Sequence, residues 1–232
     1  MPQDALKLLS SMATREVLAA LASAFQQSTA RPVLTEAAGG VDVAERVRSG
    51  ELLDIVVLAV DVIDRLIAEG RLLEHSRTDL VKSGVAVAVR SGAPAPDISS
   101  EEAVKRAVLA AKSLSYSTGP SGVHMQKTFE RWGILDQIRT RIVVPKPGKP
   151  VGSLLADGAV QLGFQQTSEL LNLAGIDIIG PLPESMQIIT VFSGGISSTC
   201  TQAEAARTLL DFLASPQTAP IKRRYGMAPA GD

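Results

Sequence analysis

The chain contains a single cysteine, Cys200, and two histidines, His75 and His124. A lone cysteine excludes an internal disulfide and a cysteine-rich metal site, and two histidines disfavour a histidine-based metal centre. We therefore predict no bound metal and no other cofactor. Because Cys200 stands among small, hydroxyl-bearing residues, we interpret it as a buried or half-buried side chain and not as a nucleophile.

Aromatic residues make up only 3% of the chain, and 23 basic residues balance 24 acidic ones for a net charge of −1. The low aromatic content argues against a surface on which nucleobases or sugars stack. The balanced charge indicates no excess of basic residues for binding nucleic acid. No apolar run approaches the length of a membrane-spanning helix. We predict no nucleic-acid partner and no membrane insertion.

The first residues of the chain lack the charged region, apolar region and small-residue cleavage site that define a signal peptide. As the sequence stands, we expect a cytoplasmic protein. If a signal peptide was removed, we expect a periplasmic one.

The residues that are present, 45% of them hydrophobic, alternate short β-rich runs with helical patterns, which predicts an α/β fold. The run at 54–59 is almost continuously apolar, as expected for a parallel strand that is covered on both faces. The predicted strands are 5–9, 32–35, 54–59, 85–89, 115–117, 142–144, 160–164 and 188–192. The predicted helices are 14–27, 41–48, 61–69, 123–132, 151–158 and 203–214, with a further helix beginning near Ser99 or Ser100.

Four predicted strand ends carry small or hydroxyl-bearing residues directly before a helix: Ser10-Ser11, Ala38-Gly39-Gly40, Thr118-Gly119-Pro120-Ser121 and Gln165-Gln166-Thr167-Ser168. In open α/β sheets, ligands bind at the carboxyl ends of strands, where the N–H groups of helix starts favour anions. An ordinary helix cap explains each segment equally well by itself. Together the four favour a polar pocket for a small anionic solute.

The order of several segments resembles the type II periplasmic solute-binding fold, in its molybdate-binding branch. The segments are 8–14 (LLSSMAT), 39–44 (GGVDVA), 54–61 (DIVVLAVD), 66–72 (LIAEGRL), 209–217 (LLDFLASPQ) and 222–226 (KRRYG). The resemblance implies two lobes, 1–82 plus 190–232 and the inserted 83–189, with a ligand cleft between them and a hinge near 85–89 and 188–192. An exported member of this branch would deliver its solute to an ABC transporter.

The chain departs from the molybdate-binding pattern at two positions. The resemblance implies a serine in the first loop, a second serine in the second loop and a tyrosine in the second lobe. Ser10 and Ser11 fit the first loop, whereas Gly39 or Gly40 replaces the second serine and Gln166 replaces the tyrosine. A tetrahedral oxyanion needs a tight ring of donors, and glutamine amides suit a carboxylate with further polar groups. We therefore expect a carboxylate ligand in preference to molybdate.

The same branch includes aconitate isomerase, which the loops at 10–14 and 118–122 and the strand end at 163–166 resemble. Isomerisation of aconitate moves a proton between carbons next to carboxyl groups, so it needs a base and donors for the developing charge. We expect a receptor that binds a small anion, a carboxylate or an oxyanion, without changing it. The alternative that the resemblance implies is an isomerase of a polycarboxylate such as aconitate.

His124 and Glu36 are the candidate catalytic residues. His124 lies in the first turn of the predicted helix, where it could act as a base or simply face solvent. Glu36, like Asp42, could act as a base or complement a helix dipole. Arg15 could clamp a carboxylate or form a surface ion pair. The candidate ligand-binding residues are Ser10, Ser11, Met12, Arg15, Gly39, Gly40, Thr118, Gly119, Pro120, Ser121, Gly122, Gln165 and Gln166.

Overall fold

The computed structural model describes residues 5–145 and 149–232. The described residues divide into two compact units. Unit 1 contains the residues up to Lys82 together with Val191–Asp232, and unit 2 contains Ser83–Thr190. Helices and strands alternate in both units, so the predicted α/β class is confirmed.

The strands and helices of the described residues are numbered in chain order. The strands are β1 (Leu6–Ser11), β2 (Val33–Ala38), β3 (Ile55–Ala59), β4 (Thr78–Arg90), β5 (Leu114–Tyr116), β6 (Leu162–Gln166), β7 (Ile176–Pro181), β8 (Ile189–Ile196) and β9 (Ala228–Pro229). The helices are α1 (Arg15–Thr29), α2 (Gly40–Arg48), α3 (Val60–Ala68), α4 (Glu101–Ala110), α5 (Pro120–Arg131), α6 (Leu135–Ile138), α7 (Val151–Ala156), α8 (Thr167–Leu170), α9 (Ala203–Ala214) and α10 (Ala219–Arg224).

Unit 1 is built on a sheet with strand order β2-β1-β3-β8, in which β1, β2 and β3 are parallel and β8 is antiparallel to β3. Side chains alternate across β1, so Leu8 packs with α1 and α9 while Leu9 packs with α2 and α3. All five residues of β3 are buried because helices cover both faces. The parallel register places the carboxyl ends of β1 and β2, at Ser11 and Ala38, side by side.

Unit 2 has β6 between β5, which is parallel to it, and β4, which is antiparallel. β7 also pairs with β4, with a shift of register between Val87 and Ala88. The core on one face includes Val87 and Phe129, and the core on the other face includes Ala88 and Leu155. Helix α5 packs on the first of these faces, which fixes the helix start that follows β5.

Several predicted element ends are confirmed. Helix α9 covers the predicted range 203–214. Gly70, with φ of 68°, follows α3 in the left-handed conformation that favours glycine after a helix. Ser100 caps α4, and its hydroxyl accepts a hydrogen bond from the Ala103 N–H at 3.2 Å.

Other predicted elements need correction. The segment 142–144 is not a strand: Ile142 makes only an isolated bridge to Leu114. Helix α5 begins at Pro120, three residues earlier than predicted, because proline is well suited to the first helical turn. Strand β4 starts at Thr78 instead of 85, and β7 was not predicted. None of the helices in the described ranges has the length and apolar character needed to cross a lipid bilayer.

Candidate functional site

Ser10 and Ser11 end β1 and lead through the short 3-10 turn Met12–Thr14 into α1. The Ser10 hydroxyl is engaged weakly, 3.3 Å from the Ser11 carbonyl oxygen and 3.4 Å from that of Glu36. The Ser11 side chain is only 8% exposed, and its Oγ has no hydrogen-bond partner among the described residues. A buried hydroxyl without a partner is costly, so a hydrogen bond from Ser11 Oγ to a bound group would be stabilising.

Gly39 and Gly40 join β2 to α2. A Cβ on Gly39 would lie 2.9 Å from Asp42 Oδ2, so the Asp42 carboxylate folds back over the start of α2. This position complements the helix dipole, the ordinary role that the sequence left open for Asp42. A Cβ on Gly40 would meet only Leu58, at 3.9 Å, so a larger residue would fit at this position.

Glu36 does not have the environment of a base. Its side chain is 63% exposed and forms an ion pair with Arg46, whose Nη2 lies 3.0 Å from Glu36 Oε2. The hydrogen bond from Arg46 holds the pKa of Glu36 below its ordinary value. A base that acts near neutrality needs the opposite shift, so the ion pair with Arg46 does not support the predicted base role of Glu36.

Arg15 and Met12 have peripheral contacts within unit 1. The exposed Arg15 guanidinium pairs with Glu16, with Nη2 2.7 Å from Oε1, which is the surface ion pair that the sequence left as an alternative. Met12 is half-buried in the turn that precedes α1.

In unit 2, the segment between β5 and α5 is a compact turn. The hydroxyls of Ser117 and Ser121 lie 2.7 Å apart, and the Gly119 N–H donates to Ser117 Oγ at 3.3 Å. A Cβ on Gly122 would lie 1.5 Å from the Ser117 carbonyl oxygen, so only glycine allows this close approach. Ser121 and Gly122 are buried.

The remaining two residues of this predicted set, Thr118 and Pro120, are exposed at the same turn. The sequence-predicted residues 118–122 therefore do cluster at one helix start.

His124 lies one turn into α5 and is half-buried. Its Nε2 is 2.7 Å from the carbonyl oxygen of Met186. Among the described residues, this is the only hydrogen-bond partner of the ring that the structure records. Met186 is 62 positions away in the sequence, and nothing in the sequence connects it with His124. This contact is the main feature of the site that sequence reasoning missed.

Gln165 is buried at the end of β6, and its amide forms hydrogen bonds with α7 and α8 of unit 2. Its Oε1 accepts a hydrogen bond from the Val151 N–H at the start of α7, at 2.8 Å. Its Nε2 donates to Glu169 Oε1, also at 2.8 Å. The sequence predicted ligand contact for Gln165 and did not anticipate these bonds.

Gln166, the next residue, points to the other face of β6 and is buried as well. In the orientation that satisfies both ends of its amide, Nε2 donates to the carbonyls of Ser83 at 3.0 Å and Gly84 at 3.1 Å. Its oxygen accepts from the hydroxyl of Thr190 at 2.8 Å. Gln166 therefore ties together the first and last residues of unit 2.

The surroundings of Cys200 disfavour a role as a nucleophile. Burial, reinforced by the thiol hydrogen bond to Asp54 Oδ1 at 3.1 Å, raises its pKa from 9.0 to about 11. Because the thiolate is the reactive form, this shift lowers the reactivity of Cys200 at neutral pH. Within the described ranges there is also no group of three or more His, Cys, Asp and Glu side chains that could hold a metal ion.

The fold is that of a solute-binding protein. The chain belongs to the bacterial extracellular solute-binding protein family, whose model matches residues 6–228. It is similar to the aconitate isomerase of Pseudomonas sp, with 36% identity over 236 residues, which cover 98% of this chain and 89% of that protein.

Two solved structures show the same fold at low sequence identity. The periplasmic molybdate-binding protein of Azotobacter vinelandii matches with a TM-score of 0.81 and 19% identity, over 96% of this chain and 98% of that one. The sulfate-binding protein of Mycobacterium tuberculosis matches with a TM-score of 0.79 and 17% identity, over 98% of this chain and 88% of that one. The predicted resemblance to the molybdate-binding branch of the type II fold is confirmed.

Proposed function

We propose that this chain binds a tricarboxylate and isomerises aconitate. The observation that carries the proposal is the 36% identity to an aconitate isomerase across 98% of the chain. The two solved structures share the fold at under 20% identity, so their oxyanion ligands give weaker guidance to the ligand of this chain.

The donors in the candidate site support a carboxylate ligand. Ser11 offers a buried hydroxyl with no partner in the described part of the chain. The turn at Ser117 and Ser121 offers two further hydroxyls beside the start of α5, and Ser11 precedes the 3-10 turn that leads into α1. Carboxylate oxygens accept hydrogen bonds from hydroxyl and backbone N–H groups, and the positive end of a helix dipole favours their charge.

The glycines of unit 1 support a ligand larger than a tetrahedral oxyanion. Gly40 is one of the two glycines that could stand at the serine position of the molybdate-binding pattern, and it leaves space, since a Cβ there would touch only Leu58. In unit 2, glutamine replaces the tyrosine of that pattern, and its amide is committed to Ser83, Gly84 and Thr190. A tight ring of donors for molybdate would therefore lack two of its members.

The proposed reaction is an allylic proton transfer. A C–H bond of the methylene group breaks, and its electron pair forms a new double bond to the central carbon. The electron pair of the old double bond takes up a proton at the former vinyl carbon. The reaction is redox-neutral and needs no co-reactant, only a base that returns the proton and donors that stabilise the enolate-like charge.

A receptor that binds the carboxylate without changing it is the second candidate. It is favoured by the family model, whose members are described as extracellular solute-binding proteins. On this alternative, the protein is exported to the periplasm and delivers its solute to an ABC transporter. The family membership supports export for the isomerase as well.

A thermal-shift screen followed by proton NMR tests the proposal. A ligand that binds only the folded state raises the melting temperature. We expect cis- and trans-aconitate and the saturated analogue tricarballylate to raise it, and molybdate, tungstate and sulfate to leave it unchanged. Proton NMR of trans-aconitate with catalytic amounts of protein should then show conversion to cis-aconitate.

Stabilisation by aconitate without conversion would support the receptor in place of the isomerase. Stabilisation by molybdate and tungstate alone would refute the carboxylate ligand altogether.

A further inference from the structure

The imidazole of His124 is held by a carbonyl group, and this determines which nitrogen carries the proton. The Met186 oxygen lies 2.7 Å from Nε2. A carbonyl oxygen can only accept a hydrogen bond, so Nε2 must be the protonated nitrogen. In the neutral ring, the lone pair then belongs to Nδ1. No partner of Nδ1 is recorded among the described residues.

The Met186 carbonyl is itself fixed in position within unit 2. Met186 is buried and ends a 3-10 turn, where its N–H donates to the Pro183 carbonyl at 3.0 Å. The side chain of the next residue, Gln187, forms two hydrogen bonds with the backbone of Val85 in β4. Its Oε1 accepts from the Val85 N–H at 2.8 Å, and its Nε2 donates to the Val85 carbonyl at 3.0 Å. The Gln187 amide bonds to Val85 as the backbone of a neighbouring strand would, and this anchors the turn that contains Met186 to the sheet.

We propose that the Met186 carbonyl is a positioning group, which holds His124 with its proton on Nε2 and so makes Nδ1 the base of the isomerisation. The inference rests on the proposed function. The hydrogen bond also fixes the orientation of the ring relative to α5. In catalytic sites, the partner of one imidazole nitrogen commonly sets the role of the other nitrogen in this way.

The proton follows a closed path. His124 Nδ1 takes a proton from the methylene carbon of aconitate and becomes the imidazolium, while the electron pair of the broken C–H bond forms the new double bond. The same Nδ1–H then gives the proton to the former vinyl carbon and returns to the neutral ring. Nε2 keeps its proton and its bond to Met186 throughout.

Nitrogen NMR measures the tautomer directly. The chain has only two histidines, so long-range proton–nitrogen spectra of the labelled protein contain two imidazoles, and His75→Gln identifies the signals of His124. We expect a pyrrole-like Nε2 and a pyridine-like Nδ1 for His124 in the ligand-free protein at a pH where the ring is neutral. The opposite pattern would overturn the positioning role of Met186.

Two substitutions separate proton transfer from structural support. In His124→Gln, the amide nitrogen can take the place of Nε2 and donate to Met186, but no atom can act as a base at the place of Nδ1. We expect its melting temperature and its stabilisation by aconitate to match the wild type, with turnover lower by about 10²- to 10⁴-fold. In His124→Asn, the shorter amide does not reach Met186, so both turnover and melting temperature should fall. The exposed His75 provides a matched control, because His75→Gln should change neither property.

The possible outcomes distinguish this inference from the proposed function. If the wild type converts aconitate and His124→Gln converts it equally fast, His124 is a structural residue and the inference is wrong, while the isomerase proposal stands. If the wild type binds aconitate and never converts it, the isomerase proposal fails, and the base role of His124 fails with it. In either case, the nitrogen spectrum shows whether Nε2 of His124 carries the proton that the hydrogen bond to the Met186 carbonyl requires.

Discussion

Ser11→Ala should weaken ligand binding without weakening the fold. The substitution removes one buried oxygen atom that has no hydrogen-bond partner among the described residues. Leaving a buried polar group without a partner costs roughly 1–3 kcal/mol. Removing the group therefore leaves the free energy of unfolding of the ligand-free protein unchanged or raises it.

The expected effect on binding has the opposite sign. A hydrogen bond to a charged group contributes roughly 1.5–3 kcal/mol. Since about 1.4 kcal/mol corresponds to a tenfold change in an equilibrium constant, the Kd for aconitate should rise by roughly 10- to 150-fold in Ser11→Ala.

Isothermal titration calorimetry with aconitate measures the Kd, and thermal denaturation without ligand measures the stability. Ser115→Ala is the matched control, because Ser115 in β5 also has a buried hydroxyl with no partner in the described residues. We expect its Kd to equal that of the wild type. An unchanged Kd in Ser11→Ala, or an equal loss of affinity in Ser115→Ala, would refute the assignment of Ser11 to the ligand.

Three further predictions concern residues whose surroundings the structure defines. Gly122→Ala places a Cβ 1.5 Å from the Ser117 carbonyl oxygen and should lower the unfolding free energy by at least about 1–3 kcal/mol in denaturant titrations, whereas Gly40→Ala at the start of α2 should be tolerated. Glu36→Gln should leave kcat for aconitate unchanged and alter stability by less than about 1 kcal/mol, because its ion pair with Arg46 is solvent-exposed; a large loss of kcat would restore Glu36 as a candidate base. Cys200 in the folded protein should react with iodoacetamide at pH 8 about a hundredfold more slowly than a thiol of pKa 9.0, because each pKa unit changes the thiolate fraction about tenfold. Since the unfolded chain releases the Cys200 proton first as pH rises, this thiol should lower the stability between about pH 9 and pH 11, and a flat stability over that range would contradict the raised pKa.

Local patterns in the sequence predicted the elements that depend on local physics. Helix α9 could be predicted from its apolar periodicity, and the end of α3 from Gly70, which adopts the left-handed conformation. Strand β4 was predicted too short, because its first half, from Thr78, mixes polar and apolar residues and gains its strand character from pairing with distant segments. Strand β7, which carries Gly180 and Pro181 at its end, reads locally as a turn.

The candidate site was predictable to the same degree. The clustering of small and hydroxyl-bearing residues at 118–122 follows from the chain itself, since they begin one helix. The contact between His124 and Met186 does not, because a backbone carbonyl is present at every position and has no signature in the sequence. The buried bonds of Gln165 and Gln166 were missed for a related reason: an amide suits a ligand and a neighbouring backbone equally well.

The interrupted course of the chain through unit 1 has a consequence for the order in which the protein forms during synthesis. Strand β3 pairs with β8, so Ile55 can pair only after Ile196 has been synthesised. Helix α9 is synthesised later still. Unit 2 is contiguous and has all its residues once Thr190 has been made. Because pairing over such long separations is slow, unit 2 should fold on the nascent chain before unit 1, which is incomplete until Val191–Asp232 has been made.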